Sequence, residues 1–93
     1  MAEAITVLQS AAFGRTVKRL HANQKEELDL AVRALEGDPT LGELKKGDLA
    51  DVRVYKFRMV NQLALLAYTY EDAKLVLTLL ALGSHENFYR DLK

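Results

Sequence analysis

LALLAYTYEDAKLVLTLLAL, residues 63–82, is the most apolar stretch of the chain, and its reading decides the fold. As a single helix it would invite a membrane reading, but Glu71, Asp72 and Lys74 stand near its middle, where hydrocarbon would penalise them. It is therefore no membrane span. The same polar group, Glu71-Asp72-Ala73, reads as a turn and leaves two runs of strand length, 63–70 and 74–82. Both runs are apolar at nearly every position, so period alone fits a buried helix as well as a strand. Their length and the bounding turn favour strands, against a Leu and Ala content that suits helices.

Upstream of this stretch, Val60-Asn61 marks another turn, and Val52, Val54, Tyr55 and Phe57 form a β-rich run that also carries Arg53, Lys56 and Arg58. A three-strand meander follows. Before it the period is helical. Leu28, Ala31, Val32 and Leu35 make one apolar stripe, ended by Gly37 and Pro39, and Asn23 with Glu26 has the spacing of a capping box. Phe13, Val17 and Leu20 fall at i, i+4 and i+7 behind Ser10, a good N-cap. The two stripes predict an αα-hairpin turning at His21-Ala22-Asn23, with Phe13, Val17, Leu20, Leu28, Val32 and Leu35 facing the sheet. Residues 5–8 are a short opening strand. Gly83 is expected to break the last strand and Ser84 to cap a closing helix over 84–91. The order β-α-α-β-β-β-α predicts an α+β fold: an antiparallel sheet with an N-terminal helical hairpin packed mainly on one face and a short C-terminal helix.

At 93 residues, with 49% apolar and 28% charged positions, the composition is that of one folded domain spanning 1–93. Without cysteine there is no disulfide framework, and a metal site would need His and carboxylates alone. The first residues lack a secretory pattern, so a cytoplasmic location is expected. Thirteen cations balance thirteen acids, which removes any long-range pull of the whole molecule toward nucleic acid. Only a local patch can supply one. Lys45, Lys46, Arg53, Lys56 and Arg58 stand against Asp48 and Asp51, five against two, which leaves a local excess of three. Charge alone fits a solvated, cation-protected strand edge equally well.

Residues 83–92, GSHENFYRDL, place His85 and Tyr89 four apart on the expected closing helix, where they can project to one side. In a first helical turn the dipole disfavours imidazolium, so a neutral His85 ring can serve as a base. The spacing also fits a histidine packed at a helix start and a tyrosine covering the sheet. No P-loop, dinucleotide fingerprint, metal-ligand spacing or nucleophile elbow competes, and neither cofactor nor metal is expected. His21, beside Lys18 and Arg19, reads as a surface residue.

With VYKFR at 54–58 and LLAY at 65–68, this C-terminal string resembles the RelE/ParE toxin superfamily, specifically its ParE-like branch, over almost the whole chain. The resemblance implies a toxin of a bacterial type II toxin-antitoxin system, neutralised by a cognate antitoxin protein. RelE-like members cut messenger RNA on the ribosome without a metal, whereas members proper to the ParE name poison DNA gyrase. For the first target, the resemblance implies that Arg53 supplies an active-site cation, His85 a proton carrier and Tyr89 a stacking or proton-transfer partner. Lys56 and Arg58 would hold neighbouring RNA phosphates, with Lys45 and Lys46 at the rim. RelE-like toxins carry an arginine at the start of the third meander strand, where this chain has Gln62-Leu63-Ala64. That departure and the neutral net charge keep gyrase open as the alternative target.

Overall fold

In a computed structural model, residues 4–45 and 51–84 are described. Ser10 begins the first helix as its side chain accepts the Phe13 amide at 3.0 Å, while its hydroxyl donates to the Leu80 carbonyl at 2.6 Å. One residue thus satisfies a free helix-end donor and ties the helix to the sheet. Strand β1 (Thr6–Gln9) precedes it, and helix α1 runs Ala11–Lys18. Arg19 and Leu20 tighten the end through bonds to Thr16 and Val17 carbonyls.

Helix α2 (Ala22–Gly37) starts earlier than the Asn23–Glu26 pattern suggested. His21 is its N-cap, and the Gln24 side chain accepts the His21 amide at 2.8 Å, so the reciprocal half of the cap falls on the glutamine three residues on. The interhelix turn therefore lies at Arg19-Leu20 rather than at 21–23. His21 is exposed, as expected. At the other end Pro39 disfavours helical geometry in Asp38, which is extended at φ −153° and ψ 93°.

The sheet has five strands in the order β1-β5-β4-β3-β2, with β2 Glu43–Leu44, β3 Arg53–Met59, β4 Gln62–Glu71 and β5 Val76–Ser84. The long apolar stretch is two antiparallel strands, and the meander stands. Two features of the sheet differ from the expectation. Strand β1 runs parallel to β5, so the sheet is mixed, and the two-residue β2 extends it beyond β3. Both short strands depend on partners distant in sequence, and the side chains of both are exposed.

Gly83 does not break β5. It pairs with Leu65, and Ser84 pairs with Ala64, because β4 extends to Gln62 and offers partners that far. The strand is shifted two residues later than read from sequence, since the turn occupies 72–75, with Leu75 at φ 54°. The expected closing helix beyond Ser84 lies outside the described residues. A bulge at Ala67/Tyr68 leaves Leu80 without a direct partner.

All six predicted helix positions pack on the sheet: Phe13, Leu28 and Leu35 are buried, and Val17, Leu20 and Val32 lie against them. On this face they meet Leu66, Tyr68, Leu77 and Leu79. A smaller apolar cluster of Val54, Leu65 and Ala67 occupies the opposite face, which the described helices do not cover. Fully buried Leu65, Leu66 and Leu77 each contribute roughly 1.5–3 kcal/mol by leaving water. Strand β4, buried on both faces, is the centre of the molecule. No described helix is long and apolar enough to cross a membrane.

Candidate nucleic-acid interface

Strand geometry sorts the cations of β3. Side chains alternate, so Arg53, Tyr55, Phe57 and Met59 turn to the helical side, while Val54, Lys56 and Arg58 turn to the other. Lys56 and Arg58 are exposed, two residues apart, and none of the ion pairs among the described residues involves them. Their cross-strand partners are Leu65 and Leu63, so no acid is paired with them in register. Gly83 flanks Leu65 on β5, completing the row Lys56-Leu65-Gly83. The last described residue of β5, Ser84, stands opposite Ala64, next to the row that holds Leu63 and Arg58.

Arg53 is elsewhere. Its Nη1 donates to the Gly42 carbonyl at 2.9 Å and reaches the Thr40 carbonyl at 3.4 Å. Beside it, in register, the Tyr68 hydroxyl donates to the Pro39 carbonyl at 2.7 Å and accepts the Gly42 amide at 2.9 Å. Together the two side chains hold the loop between α2 and β2 against the sheet. A Cβ at position 42 would stand 2.7 Å from the Tyr68 ring and hydroxyl, so the approach needs glycine. Burial raises the Tyr68 pKa, partly offset by the Gly42 amide, and the phenol stays protonated as the bond to Pro39 requires. In the same loop, hydrogen bonds from the Thr40 hydroxyl and amide hold the Asp38 carboxyl below its usual pKa.

At the end of the sheet a cavity of about 190 Å³ lies between the α1–α2 turn, through Thr16, Leu20 and Gln24, and the strand ends, through Met59, Gln62 and Ser84. The helical corner thus stands over Ser84, the last described residue of β5.

The sequence profile of the ParE-like toxins of type II bacterial toxin-antitoxin systems matches residues 7–93. This chain belongs to that family. The ParE-like toxin is similar in structure to a mutant of E. coli toxin RelE in the free state, with TM-score 0.72 and 19% identity over 90% of this chain and 86% of that one. It is similar to a chain of the intact E. coli RelBE toxin-antitoxin complex, with TM-score 0.70 and 18% identity over 87% of this chain and 96% of that one. A YoeB/ParE toxin from Agrobacterium tumefaciens gives TM-score 0.69 and 18% identity, over 87% and 99% of the two chains. At such identities the likeness is one of fold. Among curated sequences none matches the toxin significantly.

Of the residues singled out from the toxin's sequence, the fold brings Lys56 and Arg58 together and separates Arg53 from them. Lys45 is half-buried, its Nζ 3.3 Å from Glu43 Oε1. Lys46, His85 and Tyr89 lie outside the described residues. The Tyr68–Gly42 approach was missed by sequence reading; a tyrosine in an apolar central strand, needing a partner for its hydroxyl, was the available signal.

Proposed function

We propose that this toxin is a ribosome-dependent endoribonuclease that cuts mRNA, silenced by a cognate antitoxin. The observation that carries this reading is the exposure of Lys56 and Arg58, two residues apart on β3 and outside the ion pairs among the described residues, beside the row that holds Ser84, the last described residue of β5. Cleavage of an RNA backbone needs a base for the 2′-OH, cations for the charged phosphorane and an acid for the leaving 5′-oxygen. Lys56 and Arg58 supply the cations. His85, joined to Ser84 through one peptide bond, carries the proton, and Tyr89 stacks on a base or assists proton transfer. Arg53, whose guanidinium is held by the Thr40 and Gly42 carbonyls, acts by positioning the loop rather than by touching the phosphate. The antitoxin follows from the family, and from similar toxins solved as antitoxin complexes from E. coli and Pyrococcus horikoshii.

Primer extension on mRNA from translating ribosomes tests the assignment. Cleavage by the parent should fall roughly 10²- to 10⁴-fold in His85→Ala. Tyr89→Phe keeps the ring and removes the hydroxyl, which separates stacking from proton transfer. Binding of DNA gyrase is the second reading, favoured by the neutral net charge and by the absence of arginine at 62–64. Full toxicity in His85→Ala and Arg53→Ala, with no cleavage by the parent, would move the weight to that reading instead. Co-expression of the adjacent gene should restore growth and yield a co-purifying complex; rescue without a complex contradicts the antitoxin assignment.

A further inference from the structure

Residues 4–25 carry Arg15, Lys18, Arg19 and Lys25 and no acid. In a chain of zero net charge this is a marked segregation. All four side chains are exposed, and the ion pairs among the described residues leave all four out. They gather at one corner, on the last turn of α1, its C-cap and the first turns of α2. On α2 the acids Glu26 and Glu27 follow Lys25, and Asp29 beyond them is engaged by Arg33 at 3.1 Å.

Helix electrostatics accounts for part of this. Arg15 and Lys18 complement the negative end of α1, but the start of α2 favours carboxylates, and its first turn has none while Lys25 follows directly. The corner therefore holds more positive charge than helix stability calls for. The cavity lined by Thr16, Leu20, Gln24, Met59, Gln62 and Ser84 fixes its location over the end of the sheet, at the last residue of β3, Met59, and the last described residue of β5, Ser84.

We propose that the α1–α2 corner is a docking surface for the phosphate backbone of structured RNA, separate from the β3 face that holds the strand to be cut. This rests on the ribosome-dependent reading and adds how a neutral toxin reaches a polyanion: the charge is divided by surface, not carried in excess. Chemistry favours RNA over an acidic, folding peptide. Such a peptide needs several apolar anchors, and of the exposed large apolar residues, Val7, Leu8, Leu30, Leu41, Leu44, Val60 and Leu63, only Leu63 lines the cavity beside this corner. Phosphate binding needs only cations.

The test compares the parent with Lys18→Gln/Arg19→Gln, and separately with Arg15→Gln/Lys25→Gln, in co-sedimentation with whole ribosomes across a salt series. Each double variant should bind several-fold more weakly, with a log–log salt slope shallower by roughly 0.7–0.9 for every phosphate that is no longer neutralised. Cleavage at saturating ribosome should be unchanged, as should antitoxin binding and the thermal midpoint. Arg58→Gln should show the reverse pattern, with reduced cleavage and near-parental ribosome affinity. Parental affinity and slope in both double variants would overturn the proposal, as would loss of antitoxin binding in place of ribosome binding. A parent that binds no ribosomes would sink the RNA reading itself.

Discussion

Arg53 and Arg58 lie on one strand, five positions apart, and the fold gives them opposite surroundings. Arg53 lies on the helical side, where two backbone carbonyls fix its guanidinium, and Arg58, on the alternate face by register, is exposed beside Leu63 and lines a cleft with Glu27 and Leu30 of α2. An odd spacing in a strand means opposite faces. Five cations clustered in sequence therefore do not make one patch, and local charge overstates what any single surface presents.

The comparison breaks most visibly in activity. Replacing Lys56 or Arg58 by Ala should lower mRNA cleavage about 10²-fold or more by removing phosphorane stabilisation, with the thermal midpoint nearly unchanged because both are exposed. Parental cleavage in both would remove Lys56 and Arg58 from the site.

Stability should respond on the other side. Tyr68→Phe leaves the Pro39 carbonyl and Gly42 amide without the hydroxyl, at a cost of about 1–3 kcal/mol in denaturant unfolding. Gly42→Ala forces a methyl against the Tyr68 ring and should cost a similar ~1–3 kcal/mol. If both variants unfold like the parent, the loop is held by something other than this approach. Arg53→Met removes hydrogen bonds from a charged donor and should cost around 1 kcal/mol in this half-buried setting, with less effect on cleavage than Lys56→Ala. A larger loss of cleavage for Arg53→Met than for Lys56→Ala would return Arg53 to the active site.

Smaller effects follow from the turns. Val60, a β-branched residue at φ 62° in the two-residue turn between β3 and β4, is strained, so Val60→Gly should be neutral to stabilising by up to ~1 kcal/mol. Clear destabilisation would mean that Val60 makes an interaction worth more than its strain. The Asp38 carboxyl has a lowered folded pKa; its contribution is present above the unfolded pKa and is lost as pH falls through the folded one. Asp38→Asn should flatten the acid limb of a stability–pH curve slightly, and an unchanged limb would show that Thr40 does not hold the charge.

The helical stripes and strand-length runs were legible because hydrophobic period and turn chemistry are local: Phe13 with Val17 and Leu20, and Leu28 with Val32 and Leu35, read directly, and the polar break was found but placed at 71–73 where the turn occupies 72–75. Even the parity that divides Arg53 from Lys56 and Arg58 was present in the alternation of β3. Tertiary structure alone decided the rest. The parallel seat of β1 against β5, the two-residue β2 and the continuation of β5 through Gly83 depend on which strand stands alongside, and backbone hydrogen bonds to a distant partner leave no side-chain pattern. For the same reason sequence supplied the arginine at position 53 but not its task, since the carbonyls of Thr40 and Gly42 that hold it come near only after α2 has packed and the chain has turned back along the sheet.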